Sequence, residues 1–121
     1  MVNCLIVDDS RTVRRLCAGM IRPLQFDVRE AESGEIALAL CKEAMPDLML
    51  LDWNMPGLSG LDVIQELRLM EGGMHPKVIF CTSEGDSSRI LEALEKGADE
   101  YIMKPFGTDI LESKLAMVGL L

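Results

Sequence analysis

The chain has 121 residues, 49% of them hydrophobic, so it is long enough to bury its own core and too apolar to be disordered. No apolar run approaches the roughly 20 residues of a transmembrane helix, and Met1–Leu5 lacks the basic start of a signal peptide, which predicts a cytoplasmic protein. A formal net charge of −8 argues against nucleic acid or an anionic membrane as a direct partner and favours a site for a cation.

Short apolar segments alternate with helical patterns along the chain. The predicted strands are Cys4–Val7, Asp27–Ala31, Leu48–Leu51, Val78–Cys81 and Tyr101–Met103. Five β-α units in strict alternation predict an α/β fold: a five-stranded parallel sheet, doubly wound, in a (βα)5 arrangement. We expect a single domain over residues 1–121, with no output domain.

The first two helices have recognisable limits. Ser10 is a predicted N-cap of the first helix, whose apolar stripe consists of Val13, Leu16, Cys17, Met20, Ile21 and Leu24. The second helix is expected to begin near Ser33 and to end before Pro46.

Glycines mark the ends of the next two helices. The third is predicted to stop at Gly72-Gly73, and Gly97 is a predicted C-cap of the fourth. The inward residues of the fourth helix are predicted to be Ile90, Ala93 and Leu94. A fifth helix is predicted from about Thr108.

The four cysteines lie far apart, with no C-x-x-C pair and no cluster of histidines. They are Cys4, Cys17, Cys41 and Cys81. Each falls on an apolar strand or helix face, where cysteine behaves as a small hydrophobic residue. We therefore expect all four to pack in the core, with a redox or soft-metal role as the alternative.

Polar side chains follow four of the predicted strands. Asp8-Asp9 comes after the first strand, Asp52 after the third, Thr82 after the fourth and Lys104 after the fifth. Each alone has an ordinary explanation as a solvated turn, a strand-end cap or a surface lysine. Because parallel strands point their carboxyl ends to one edge, where open α/β sheets bind ligands, we expect these side chains to meet.

The residue types at this edge describe a particular chemistry. Three carboxylates repel unless a cation joins them, and all-oxygen ligands favour Mg²⁺ before Ca²⁺ or Mn²⁺. The backbone carbonyl of Asn54 is placed to complete the metal shell. A carboxylate nucleophile, a metal, a lysine and a hydroxyl describe phosphoryl transfer to aspartate. Asp52 would attack phosphorus, Mg²⁺ and Lys104 would neutralise its oxygens, and Thr82 would bind the product group.

Four segments of the chain resemble the receiver domain of two-component response regulators. They are Val7–Ser10, Asp52–Gly57, Thr82–Glu84 and Tyr101–Phe106. The chain is most similar to stand-alone receivers of the chemotaxis type. The resemblance covers the whole length and implies the strand order 2-1-3-4-5. It also implies a histidine kinase or phosphotransfer protein as the donor of a phosphoryl group to Asp52.

The resemblance implies a metal set at the sheet edge. Asp9 and Asp52 would ligate Mg²⁺ directly, together with the backbone carbonyl of Asn54. Asp8 would contribute partly through water.

It also implies a switch. Thr82, Tyr101 and Pro105, the last in a cis peptide bond, would respond to phosphorylation by reshaping the face of the fourth helix, fifth strand and fifth helix, where an effector protein binds. Asn54 and Glu84 would tune the rate of dephosphorylation.

We therefore expect a monomeric signalling module, not a conventional enzyme, which catalyses its own phosphorylation and slow dephosphorylation. Chemotaxis signalling is the first expectation; a stand-alone cell-cycle or adaptor receiver, or a phosphate sink, is the alternative. A flavodoxin-like nucleotide binder would need an anion-binding loop where Asp8-Asp9 stands, and a phosphatase with an aspartate nucleophile would need an acid where Asn54 stands.

The basic set on the first helix is either a solvated face or a docking surface for an acidic partner; it consists of Arg11, Arg14, Arg15 and Arg22. Trp53 directly follows Asp52 and is expected to be half-exposed beside the site, which would make it a fluorescence reporter.

Overall fold

The structure is a computed structural model that describes residues 1–83 and 87–121. Its strands are β1 Asn3–Val7, β2 Asp27–Ala31, β3 Leu48–Asp52, β4 Lys77–Thr82 and β5 Glu100–Met103. Its helices are α1 Arg11–Ile21, α2 Gly34–Glu43, α3 Gly60–Leu69, α4 Ser87–Glu95 and α5 Thr108–Met117, with a 3-10 turn at Arg22–Leu24. Within the described residues no helix is both long enough and apolar enough to cross a bilayer.

The strands form one parallel sheet in the order β2-β1-β3-β4-β5, which confirms the predicted fold class and strand order. The central strands β1 and β3 pair directly, with Val7 opposite Leu51. Strand β2 lies on one side of β1, and β3 lies on the other. The carboxyl ends of β1 and β3 therefore flank the crevice at which such sheets bind ligands. On the other side of β3, Asp52 is opposite Cys81 of β4.

Two apolar layers hold the helices against the sheet. One layer packs α2, α3 and α4 on one face, and the other packs α1 and α5 on the opposite face. All four cysteines are free and buried in these layers, as predicted. Burial, the largest cause, raises the pKa of the Cys17 thiol to about 11, so this thiol stays protonated and unreactive at neutral pH.

Serine N-caps start the helices. The Ser10 hydroxyl accepts a hydrogen bond from the amide of Val13 at 3.3 Å, and the Ser33 hydroxyl accepts one from Ile36 at 3.1 Å, which confirms both predicted helix starts. A capping box between Ser59 and Asp62 starts α3.

Some inward positions of the helices were predicted wrongly. Leu16 of α1 is 61% exposed, and Ala18 is buried instead. The apolar stripe of α1 is wider than the face of the helix that packs on the sheet. One edge of the stripe, which includes Leu16, is therefore exposed. In α4, Ala93 is buried but Leu94 is exposed. This helix packs on the sheet through a narrower face than its spacing predicts.

The third helix also ends earlier than predicted, at Leu69 rather than at Gly72-Gly73. Met70 leaves the helix in an extended conformation, and Gly72 turns the chain with φ of +76°. The chain then doubles back so closely that a Cβ at Gly73 would overlap the carbonyl oxygen of Leu67. The two glycines therefore serve the loop after the helix.

Arg68, near the end of α3, joins three segments on the side of the sheet away from the predicted site. Its guanidinium donates hydrogen bonds to the carbonyl of Gly97 at 3.0 and 2.7 Å, to Gly73 at 2.8 Å and to Pro76 at 2.9 Å. It also forms an ion pair with Asp99 at 3.0 Å. One side chain thus anchors the loops before β4 and before β5.

We expect Arg68→Ala to lower the free energy of unfolding by about 2–4 kcal/mol, because partly buried carbonyls would lose a charged donor. Urea denaturation measures this loss. The matched control is Arg15→Ala on the exposed side of α1, with an expected change within about 0.5 kcal/mol. Equal losses in the two variants would contradict the anchoring role of Arg68.

Candidate functional site

Three carboxylates meet at the carboxyl edge of the sheet. Oxygen atoms of Asp8, Asp9 and Asp52 all lie within 4.8 Å of one another. Asp8 and Asp52 are buried, whereas Asp9 is exposed. Solvent therefore reaches the cluster on the side of Asp9.

The turn after β1 fixes Asp8. Its amide donates to the carbonyl of Ala31 at 3.1 Å, and its carboxylate accepts the amide of Ser10 at 2.9 Å. Arg14 donates to the backbone carbonyl of Asp8 at 2.7 Å and forms an ion pair with Glu30 at 3.0 Å. Arg14 therefore supports the site and is only partly exposed, whereas the other three arginines of the basic set on this helix are exposed.

Asp52 is the last residue of β3, and the chain around it is closely packed. The amide of Trp53 donates to the carbonyl of Cys81 at 3.1 Å, and the carbonyl of Trp53 accepts the amide of Gly60 at 3.0 Å. A Cβ at Gly60 would lie 2.5 Å from the carbonyl oxygen of Asp52. Glycine at this position lets the first turn of α3 approach the strand end, a role that no sequence pattern indicated.

Lys104 joins the carboxylates. Its ammonium lies 2.7 Å from Asp8 Oδ2 and 2.9 Å from Asp52 Oδ1. The backbone amide of Lys104 donates to the carbonyl of Thr82 at 2.8 Å, and the peptide bond to Pro105 is cis. The end of β5 thus delivers the ammonium between the ends of β1 and β3.

The charges of this cluster do not balance. Burial, the largest cause, raises the pKa of Asp52, and the charges of Asp8 and Asp9 raise it further, against the opposing effect of Lys104. Burial alone would lower the pKa of Lys104, but its hydrogen bonds to Asp8 and Asp52 outweigh this, so the pKa is raised and the ammonium stays charged. One ammonium cannot compensate three carboxylates, and a divalent cation would.

The donor set fits Mg²⁺, since every donor in the cluster is a carboxylate oxygen. Asp8 already accepts hydrogen bonds on both oxygens, from Ser10 and from Lys104. Asp9 is open to solvent. These features suit direct ligation by Asp9 and Asp52, with Asp8 acting through water.

Three further predicted site residues lie in the described part of the chain. Thr82 is buried at the end of β4, and Asn54 is exposed two residues after Asp52. Tyr101 is half-buried on β5. Glu84, predicted to tune dephosphorylation, lies outside the described residues.

An aromatic row runs from the carboxylate cluster toward β5. Trp53 is half-buried, as expected, and its ring meets that of Phe80 edge to face at 4.9 Å between centroids. Tyr101 is the strand partner of Phe80 in β5. Arg89 Cζ lies 5.2 Å from the Trp53 ring centre, and Lys114 Nζ lies 4.3 Å from that of Tyr101.

These two cations were missed by the sequence analysis. Each joins an aromatic ring to a helix that lies far from it in the chain, and such contacts have no local pattern. The only available signal was the presence of a basic residue on α4 and on α5.

Comparison with known proteins gives a consistent result. The response regulator receiver domain family matches residues 4–116. Chemotaxis protein CheY-3 of Vibrio cholerae is 39% identical over 115 residues, covering 94% of this chain and 88% of that protein. Chemotaxis protein CheY of Pseudomonas aeruginosa is 36% identical over 118 residues, covering 97% and 95%. The solved structure of chemotaxis protein CheY4 of Vibrio cholerae matches with a TM-score of 0.92 at 27% identity, over 98% of each chain.

We expect Asp52→Asn to stabilise the metal-free fold at neutral pH. Because the pKa of Asp52 is raised on folding, the folded chain binds a proton more tightly than the unfolded chain and loses stability as the pH rises through that pKa. The variant lacks this loss, and Asp8 still pairs with Lys104. Its advantage should shrink as the pH falls to about 4, near the ordinary pKa of aspartate.

Urea denaturation in a chelating buffer measures this difference across the pH range. Asp27→Asn, at the exposed start of β2, is the control, with an expected change within about 0.5 kcal/mol at each pH. A wild type that is more stable than Asp52→Asn at neutral pH would contradict the expectation.

Proposed function

We propose, for a chain that belongs to the response regulator receiver domain family, that Asp52 is the residue on which it is phosphorylated. The protein is a phosphorylation-switched module of two-component signalling, and its chemotaxis relatives support a role of the chemotaxis type. One observation carries the assignment of the site. A lysine from β5 is hydrogen-bonded to two buried carboxylates, Asp8 and Asp52, beside a third that is open to solvent.

The proposed reaction transfers a phosphoryl group from a phosphohistidine of a kinase or phosphotransfer protein. An Asp52 carboxylate oxygen attacks phosphorus, an O–P bond forms, the P–N bond breaks, and the electron pair leaves with the imidazole, which takes up one proton from solvent. The ammonium of Lys104 lies 2.9 Å from Asp52 and offsets the negative charge on the phosphoryl oxygens. Asp8 holds this ammonium in position at 2.7 Å.

Receiver domains bind Mg²⁺ at an acidic pocket, and the cluster of this chain has the matching donors. We assign Asp9, Asp52 and the Asn54 carbonyl as ligands, with Asp8 acting through water. When bound, Mg²⁺ supplies positive charge that stabilises the phosphoryl oxygens during transfer. Asp9 is the carboxylate that solvent reaches, so it governs metal entry.

The switch is proposed to run through Thr82 and Tyr101. The Thr82 hydroxyl, at the end of β4, would hydrogen-bond the new phosphoryl group and leave space that the Tyr101 ring occupies. That movement would reshape the face of α4, β5 and α5, where an effector protein binds. Asn54 and Glu84 remain the predicted modulators of phosphoryl lifetime.

The family consists of signalling domains, and we propose that this one has no turnover beyond its own phosphorylation and dephosphorylation. We further propose a monomeric single domain in the cytoplasm that receives its phosphoryl group from one protein and passes a conformational signal to another. Adaptor, cell-cycle and phosphate-sink roles use the same chemistry, but the matched relatives favour chemotaxis.

We expect incubation with acetyl phosphate and Mg²⁺ to add one phosphoryl group to the wild type and none to Asp52→Asn. Intact-mass spectrometry after rapid acid quenching measures the adduct. Asp27→Asn is the control and should be modified like the wild type. An adduct on Asp52→Asn, or one that forms equally in a chelator, would contradict the assignment. No adduct on the wild type would indicate a receiver that signals by binding alone.

We expect Mg²⁺ to change the emission of Trp53, the only tryptophan, because the ion would bind at the adjacent residue. Asp9→Asn should weaken the apparent affinity for Mg²⁺ by at least about tenfold, and Asp27→Asn should leave it unchanged. Fluorescence titration measures both constants. Identical spectra in a chelator and in excess Mg²⁺ would show that the metal site is wrongly placed.

A further inference from the structure

Helix α4 is held to the molecule by few buried groups. Ala93 is its buried residue, whereas Leu91 is 59% exposed and Leu94 is also exposed. A helix with so little apolar burial depends for its position on individual polar and aromatic contacts. The contact between Arg89 and Trp53 is one such contact between α4 and the rest of the domain.

Trp53, by contrast, is firmly tied to the strand that ends in Asp52. Its amide and carbonyl are both hydrogen-bonded, to Cys81 and Gly60, and its ring packs edge to face on Phe80, which is fully buried. The indole is thus a fixed extension of the phosphorylation site. A group that rests on this ring is held relative to Asp52.

The geometry points to Arg89 as a positioning residue that couples α4 to the phosphorylation site: its guanidinium rests on the Trp53 indole, so a change of charge at Asp52 changes how α4 is held. The part of this inference that concerns phosphorylation rests on the proposed function. It goes beyond that function in naming a direct link from the residue after Asp52 to α4, separate from the switch through Thr82 and Tyr101.

Electrostatics gives this contact its sensitivity. The guanidinium is attracted to the ring by a charge–quadrupole interaction that a half-buried ring supports only moderately. A phosphoryl group on Asp52 adds negative charge at the residue that precedes Trp53. This environment is partly buried, so charges in it are weakly screened. The new charge competes with the ring for Arg89. The position of α4 then differs between the phosphorylated and unphosphorylated states.

The coupling also works in reverse. If phosphorylation changes the affinity of α4 for a partner by shifting Arg89, binding of that partner must change the phosphorylation equilibrium by the same factor. A cation–π contact of this exposure changes an equilibrium by about two- to fivefold. Such a factor is small enough for the two states to coexist and large enough to measure.

Amide hydrogen exchange of residues 87–95 tests the inference, with the phosphorylated fraction of each sample determined by intact mass. The samples are apo protein, protein with Mg²⁺, and protein with Mg²⁺ and acetyl phosphate. In Arg89→Met, which keeps an unbranched apolar stem but loses the charge, we expect the phosphorylation-induced change in exchange rates to fall by about two- to fivefold. Arg89→Lys, which keeps a cation for the ring, should retain the change.

Lys96→Met is the matched control for charge. Lys96 is exposed directly after α4, and its loss should leave the change as in the wild type. The same change in Arg89→Met as in the wild type, at equal phosphorylation, would overturn the inference. So would equal losses in Arg89→Lys and Arg89→Met, since packing rather than charge would then act, or a wild type whose α4 exchange never responds.

The two proposals fail separately. A wild type that takes no phosphoryl group contradicts the proposed function, and the Mg²⁺ sample then decides on Arg89. A Mg²⁺-induced change in α4 that is reduced in Arg89→Met supports the coupling, and an equal change in both proteins overturns it.

Discussion

The ammonium of Lys104, shared between Asp8 and Asp52, is the interaction on which the site depends. It joins the ends of three strands, across sequence separations of 96 residues to Asp8 and 52 residues to Asp52, and the parallel sheet brings those ends to one edge. Buried carboxylates without a cation would protonate or drive the strand ends apart. The fold therefore positions the lysine, and the lysine makes the cluster of acids compatible with the fold.

This arrangement leaves a deficit of positive charge that a purely structural cluster would not have. Burial raises the pKa of Asp52 even with Lys104 in contact, so the fold holds this carboxylate at a cost to stability. Residues kept at such a cost are typical of sites that bind a ligand or carry out chemistry. Because of this deficit, the pocket suits a divalent cation and a phosphoryl anion together. The cation offsets the negative charge of the carboxylates, and it offsets the negative charge that the phosphoryl group adds.

Strand ends were predictable from the sequence, whereas contacts across elements were not. A buried apolar run followed by Asp52 identifies a strand and its edge, and strict alternation then brings Asp8 and Lys104 to the same place. Leu16 was wrongly predicted to be buried because helical periodicity shows which residues are apolar but not how wide the contact with the sheet is. Gly60 and Arg89 act through three-dimensional approach to Asp52 and Trp53, for which neither spacing nor composition provides a signal.

Cations at both ends of the aromatic row indicate how a small chemical change can reach a distant face. Arg89 lies on Trp53 beside the site, and Lys114 lies on Tyr101 while pairing with Glu100 at 3.1 Å. Each contact is worth about 0.5–1 kcal/mol at such exposure, close to the free-energy difference between two populated conformations. Under the proposed coupling, weak attachment of α4 through charged contacts lets chemistry at Asp52 change the position of the helix.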